Sequence, residues 1–438
     1  MYHLNSPQQV SKNNAATDTN YNKSLSNYST LLCLMAMTVA LPSLASEEAQ
    51  MEMLAQADVN DRSTLISAQS WEDSYSSFNN KKSDLYDEHG FAFAGFHSSL
   101  FQVASDTKPD FDNTGLATIA ALYGTWNAVK HDDPSAGQIG FGVEARWGYG
   151  NLLTPVELGQ QAIGSATGSA DPYDATNPTF VLRDLYWRGG SEDQGWSYRL
   201  GKMTVDRMLG SSKYANATST FLPVGSQGAP SIAYPDSALG AAVAFYPSER
   251  FRFGAVIADA YGDRTNFGDI TEGDFFKAVE LQAKLFPLNE EAGFSTLSFW
   301  HTDGVDDPEK ANGGSTGEEG WGLFVKHEQQ LTKDGNNIAV FRYGRAFDDA
   351  AVYKEQGSVR YIKTNVALKD DMFGVAASYV KPVYNPMERD EWSIDTFYRI
   401  NLFKNVETSV GYQMIFNPAY NASVDRTSVY SFRITQTF

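Results

Sequence analysis

The chain has 438 residues, 42% of them apolar and 20% charged, and its 27 Phe, 23 Tyr and 8 Trp exclude disorder as a description of the whole. Its formal net charge of -19 repels nucleic acid and disfavours any polyanionic partner. Only one apolar run, Leu31 to Ala45, stands out, so a bundle of membrane helices is excluded, whereas a membrane barrel, whose strands hide their hydrophobicity by alternation, is not.

Lys12 and Lys23 precede the run LLCLMAMTVALPSLA, which exits through Ser43 and Ala45 into the acidic Ser46-Glu47-Glu48. That pattern predicts a secretory signal peptide over residues 1–45, with an over-long front end and cleavage after Ala45. Pro42 and the small-residue exit argue against a core helix here. Cys33 is the only cysteine and lies inside this run, so the mature chain is expected to have none. Disulfides, thiolate nucleophiles and cysteine metal clusters are thereby excluded, although an exported protein meets an oxidising compartment. Removing Lys12, Asp18 and Lys23 takes the net charge from -19 to -20. Residues 46–89 are polar, with a short helix-like stretch at Met51, Leu54 and Ala55, and read as a partly helical periplasmic lead-in to a barrel over 90–438.

From Gly90 onward the chain breaks into segments of roughly 9 to 14 residues that alternate apolar with polar or small side chains, the period of a strand. In Gln138 to Tyr149, Ile139, Phe141, Val143, Ala145, Trp147 and Tyr149 fall on one face, and Gln138, Gly140, Gly142, Glu144 and Arg146 on the other. The split recurs at Glu391 to Leu402 and at Val406 to Phe416. Sixteen such segments begin near Gly90, Leu116, Gly137, Thr179, Trp196, Ala238, Arg250, Gly273, Phe294, Gly320, Asn336, Val359, Met372, Glu391, Asn405 and Thr427. Those at Leu116 and Thr179 alternate poorly, the latter because Arg183 spoils the pattern.

The connections separate a membrane barrel from a soluble sandwich. With the N-terminus on the periplasmic side, even-to-odd links should be short turns and odd-to-even links long external loops. Pro247-Ser248-Glu249, Lys333-Asp334-Gly335, Lys369-Asp370-Asp371 and Phe403-Lys404-Asn405 are the short ones, and Gly150 to Pro178, Thr204 to Ser237 and Asp303 to Glu319 the long ones. The chain then stops on a strand with Tyr430, Phe432, Ile434, Gln436 and Phe438 on one face. Open edges are not tolerated in lipid, so this strand is expected to pair with the first, and the terminal aromatic suits presentation to the outer-membrane assembly machinery. Trp147, Tyr149, Trp196, Tyr198, Trp392 and Tyr398 are candidates for interfacial girdles. The fold class is therefore all-β, a sixteen-stranded antiparallel transmembrane barrel, and that strand number encloses a water-filled lumen.

By strand parity Glu144, Arg146, Arg199, Glu280, Asp395, Arg399 and Arg433 point into that lumen. Both signs are represented, which favours neutral or zwitterionic solutes over the ladder of Arg and Lys that a phosphate channel would show. Hydroxyl-rich solutes suit such a lining, because guanidinium and carboxylate groups bond hydroxyls and aromatic faces pack against sugar rings. The longest external loop, Thr204 to Ser237, supplies Arg207, Lys213, Tyr214, Phe221 and Tyr234 as candidate wall residues at a constriction.

Four stretches are similar to the carbohydrate-selective porins of the OprB type: Leu85-Tyr86-Asp87-Glu88-His89-Gly90-Phe91, Leu200-Gly201-Lys202-Met203-Thr204-Val205-Asp206, Tyr234-Pro235-Asp236-Ser237-Ala238-Leu239-Gly240, and Ala255-Val256-Ile257-Ala258-Asp259-Ala260-Tyr261-Gly262-Asp263. The resemblance implies passive passage of mono- or oligosaccharides across the outer membrane, with Arg, acidic and aromatic residues at a narrowing and the third external loop folded inward. It implies no cofactor. The long front end and the segment from Ser46 to Glu88 depart from it, and leave monomer and homotrimer both open.

A general or ion-selective diffusion porin shares every barrel argument. An enzyme is the rival of another class: Gly313-Gly314-Ser315-Thr316-Gly317 matches the nucleophile-elbow pattern but lies in a polar loop with no apolar strand before it or helix after it. The six His, at positions 3, 89, 97, 131, 301 and 327, lack metal-ligand spacing. Acidic loop clusters at Asp303, Asp306, Asp307 and at Asp348, Asp349 are candidates for divalent ions bridging lipopolysaccharide, although such clusters are more often solvated tips.

Overall fold

The computed structural model describes residues 63–210, 212, 214–285 and 293–438. The signal run, its cleavage site and the Met51 to Ala55 stretch lie outside the described residues.

Sixteen antiparallel strands close into one barrel, each paired with its neighbours in sequence and β1 paired with β16. They are β1 Phe91–Ala104, β2 Thr114–Asn127, β3 Gln138–Gly148, β4 Thr179–Ser191, β5 Trp196–Thr204, β6 Ser237–Ser248, β7 Phe251–Asp259, β8 Phe275–Lys284, β9 Phe294–Thr302, β10 Gly320–Gln330, β11 Asn337–Ala346, β12 Tyr353–Thr364, β13 Met372–Pro382, β14 Glu391–Phe403, β15 Val406–Phe416 and β16 Arg426–Thr437. Period-two patterning produces this because each strand has one face for lipid and one for the interior. Phe180, Val359, Val410 and Phe432 are exposed on the outside, while Ser98, Gln102, Gln413 and Thr435 on the other face are buried. Among the described residues no helix is long and apolar enough to cross a membrane.

The expected sixteen strands are all present, and one start is corrected. β12 begins at Tyr353, not Val359. Lys354 and Glu355 mask its first residues, which a register shift between Tyr353 and Glu355 sets apart from the regular ladder, and Tyr343 donates its hydroxyl to Glu355 at 2.7 Å. The loop before β12 is accordingly short, residues 347–352, and the turn after it, residues 365–371, is longer than the three residues expected. Pro247 and Ser248 belong to β6, so that turn is 249–250.

The poor alternation in β4 has a physical cause. Gly142 pairs with Asp184 and Val143 with Leu182, so Arg183 is an extra residue with no partner across the ladder. Such a bulge turns two consecutive side chains to one face. Arg183 and Asp184 are both buried on the inside.

Closure runs from Phe96 paired with Thr437 to Ala104 paired with Val429. Phe438 extends it, donating its N–H to Gly95 O at 2.9 Å and accepting from Gly95 N at 2.8 Å. A side chain at Gly95 would run into the Phe438 ring and the Ala121 carbonyl, so glycine makes room for the terminal aromatic. Before β1 a helix, α1 (Gln69–His89), spans roughly 31 Å at 1.5 Å per residue and ends at Gly90 in the left-handed conformation. Trp71 donates to Asn405 Oδ1 at 2.7 Å and packs on Phe403 at 5.6 Å between centroids, while Phe78 meets Phe93 edge-on at 6.2 Å.

Candidate functional site

Two loops fold into the lumen. L3, residues 205–236, was the expected one, and L2, residues 149–178, joins it. L3 is clamped by wall residues along its length. Gly210 N donates to Glu280 Oε2 at 3.0 Å, Ser212 Oγ to Glu328 at 2.6 Å, and Leu222 N to Asp395 Oδ2 at 3.1 Å. Arg433 donates to the carbonyl oxygens of Ala217 and Thr220, and Arg342 to that of Gln227 at 2.7 Å. Phe221 is fully buried, its ring edge-on to Phe397 at 5.0 Å.

L2 is held by one carboxylate above all. Glu391, fully buried at the start of β14, accepts from Ser165 Oγ (2.6 Å), Ala166 N (2.8 Å), Thr167 N (3.0 Å) and Thr167 Oγ1 (2.8 Å), and from Ala419 N of the last external loop at 3.0 Å. Gln102 and Gln413 both donate to Ser169 O, and Tyr353 donates to Ala166 O at 2.9 Å. The loops touch each other where Val224 N donates to Thr167 O at 3.2 Å and Gln227 Nε2 to Asp171 O at 3.1 Å.

Where both loops meet β2 to β4 lies a cluster of both signs. Glu144 accepts from Arg146 Nε at 3.1 Å, from Arg207 Nη2 at 3.1 Å and from the Tyr123 hydroxyl, with Arg183 Nε 3.8 Å away. Arg146 Nη1 also reaches Asp174 of L2 at 3.0 Å, and Arg264 from the next external loop donates to the same carboxylate at 2.6 Å. Arg183 pairs with Asp236 at the end of L3 and lies 3.8 Å from Asp206, while Arg207 lies 3.5 Å from Asp184 and over the Tyr123 ring at 4.7 Å. Strand and loop are thus joined through alternating guanidinium and carboxylate groups. Burial opposes ionisation of Asp174, yet Arg146 and Arg264 hold its carboxyl below the usual range; Arg183 and Arg264 do the same for Asp236. Part of the cluster stays open to water: side-chain exposure is 39% for Asp206, 24% for Arg264, 20% for Asp236 and 17% for Arg207.

The twelve candidate residues divide by place. Glu144, Arg146 and Arg207 meet in this cluster. Glu280, Asp395 and Arg433 face inward but hold the L3 backbone. Phe221, expected as a wall residue, is an anchor instead, since an aromatic ring on an inward loop gains more by filling the space behind the loop than by facing water. Tyr214 packs beside it, and Tyr234 is nearly buried in the cluster formed by Met203, Met208, Ile232 and Phe324. Arg199 is buried with its guanidinium 4.1 Å above the Tyr186 ring, and Arg399 lies nearer the periplasmic end, 3.4 Å from Glu407. Lys213 lies outside the described residues. Missing from the candidates are Arg183, Asp184, Asp174, Asp206, Asp236 and Arg264: the bulge disguises the first two, and the others sit on loops, where parity carries no information. Ser315 of the nucleophile-like pattern is buried in a loop, accepting from Gly317 N at 3.1 Å.

Among solved structures the chain is similar to the high-pH structure of Pseudomonas putida OprB (14% identity, TM-score 0.65), covering 83% of this chain and 97% of that one. It is also similar to an anion-selective porin from Comamonas acidovorans (10% identity, TM-score 0.50; 80% of this chain and 99% of that one). At those identities the likeness is one of fold. No curated protein matches. The model of the carbohydrate-selective porin, OprB family, matches residues 140–438, which takes in β3 to β16, both inward loops and the charged cluster, and this chain belongs to that family of carbohydrate-selective porins.

Proposed function

We propose that carbohydrates cross the outer membrane passively through this barrel, past the narrowing that L2 and L3 make where they join the β2–β4 wall, where Arg146, Arg207, Arg264, Asp174, Asp206 and Asp236 exchange hydrogen bonds with sugar hydroxyls. One observation carries this: guanidinium and carboxylate groups from five elements meet where two inward loops narrow the lumen, and part of that cluster is open to water. Forked donors and acceptors at fixed spacing match vicinal hydroxyls, and their near-balance of charge avoids trapping a neutral solute too tightly to leave. Glu144 and Arg183 position the others from behind. The porin family and fold support a channel rather than an enzyme.

The export signal over residues 1–45, the outward apolar band and the seam completed by Phe438 support outer-membrane placement, contact with lipid and lipopolysaccharide, and recognition by the assembly machinery. The protein acts as a monomer or a homotrimer. The test is liposome swelling with the mature chain from Ser46, comparing glucose, a disaccharide, a trisaccharide and a size-matched amino acid. Sugar rates well above the size-matched control are expected. Rates that follow size alone would make the pore a general one.

A further inference from the structure

Charge in this barrel is segregated. The eight external loops carry twenty-three Asp and Glu against six Lys and Arg, whereas the sixteen strands carry nine against eighteen. We propose that the pore conducts cations in preference to anions and, in a corollary that rests on the sugar-pore reading, passes amino sugars ahead of neutral sugars and sugar acids of equal size.

Position decides which of the two charge sets an approaching ion meets. The strand cations Arg342 and Arg433 lie behind L3 and donate to its carbonyl oxygens, and Arg360, 1% exposed, stands over the Phe221 ring at 5.9 Å. L3 therefore covers these three cations of the wall. Much of the acidic set lies at the mouth, and one cluster of it is carried on a docked loop. The loop 303–319 is docked onto the end of L3, with Asp236 N donating to Asn312 Oδ1 at 2.9 Å and Gly314 N to Tyr234 O at 2.9 Å, and from that base it presents Asp306, Asp307 and Glu309 to solvent. At the narrowing the exposed charges are more evenly matched, Asp206 and Asp236 at 39% and 20% against Arg264 and Arg207 at 24% and 17%, with the excess on Asp206. Asp206, at 39% exposure, is the most open charge in the cluster, while Arg146 and Arg183 are 4% and 7% exposed.

A mouth lined by one sign raises the local concentration of the opposite ion before the narrowing is reached. The reach of that field is the Debye length, about 10 Å at 0.1 M salt and about 3 Å at 1 M. Selectivity from the mouth should thus weaken with salt, leaving the contribution of Asp206 and its neighbours.

The test is single-channel recording of the full mature chain in planar bilayers under a KCl gradient, with swelling assays for glucosamine, glucose and glucuronate beside it. The expected result is a reversal potential of the cation-permeable sign, with K+ favoured over Cl- by about threefold or more near 0.1 M and by less near 1 M. The variant Asp306→Asn/Asp307→Asn/Glu309→Gln should lower the ratio at low salt and leave it nearly unchanged at high salt. Equal or Cl--favouring permeability near 0.1 M would overturn the proposal, whatever the sugars do. If cation preference holds while uncharged sugars follow size alone, only the sugar reading falls.

Discussion

Glu391→Ala tests whether L2 is a fixed wall of the pore. The native carboxylate accepts five hydrogen bonds, four from L2 and one from Ala419, and is fully buried. Hydrogen bonds to a charged group contribute about 1.5–3 kcal/mol each, but they are not additive, and the orphaned donors regain water if L2 swings into the lumen. The docked state should therefore lose about 3–5 kcal/mol, the loss seen when a buried charged network is broken, which is roughly a 10²- to 4 × 10³-fold shift toward the undocked loop. Gln102, Gln413 and Tyr353 still hold Ser169 and Ala166, so the barrel itself stays closed. In single-channel recordings the variant should show larger conductance and more open-channel noise than the native protein, with the folded band on an unheated gel retained. Conductance and noise equal to native, in a variant shown to be folded, would mean that L2 does not bound the path.

Phe221→Ala removes a fully buried ring and should cost about 3–5 kcal/mol, read as a lower unfolding midpoint together with increased L3 noise. Arg183→Met leaves Asp236 facing Arg264 alone and Glu144 without one cation, so sugar rates should change more than conductance to KCl; equal change in both would argue for a purely steric role. Asp174 and Asp236 bear on pH. Their carboxyls are held below the ordinary range, so their pairing contributes fully above the unfolded carboxylate pKa of about 3.9 and is lost only as pH falls through the depressed values. Asp174→Asn and Asp236→Asn should accordingly leave any change of sugar flux between pH 7 and 5 as it is in the native pore, where burial pushes the neighbouring Asp171 up to about 6, and loss of that change in either variant would contradict the pairing. Gly95→Val places a side chain against the Phe438 ring and the Ala121 carbonyl, and should reduce the yield of folded barrel by costing about 1–3 kcal/mol.

Strand count, closure and loop placement were legible in the sequence because lipid and water impose a two-residue period on every span, and Gln138 to Gly148 displays it almost without exception. Legibility failed where that period is broken on purpose. At Arg183 an extra residue brings two charges to one side, so the irregularity that weakened β4 as a strand is the feature that makes it part of the site. Parity also fixes direction without neighbours: it turns Glu280, Asp395 and Arg433 inward but cannot say that L3 covers them. L2 has no Lys or Arg and few large residues, so nothing in its composition distinguishes an inward loop from an external one. Its docking rests on partners such as Ser165 and Glu391 that are 226 positions apart in the chain.

The helix α1 has a mechanical meaning for the way the barrel is finished. Its first turn is fastened at Phe403 and Asn405, its later turns at Phe93, and between those two anchorages runs the β1–β16 junction, the one joint that unites the two ends of the chain. Asn405 adds a rivet, accepting from Thr437 N at 2.9 Å through its carbonyl and donating through its side chain to Thr437 O at 3.1 Å. A hoop parts first at its weld, and here the weld is bridged by a splint that can seat only once both sides have come together. Loss of α1 would free the β14–β15 turn and β1 from each other and leave the joint between β16 and β1 unbridged.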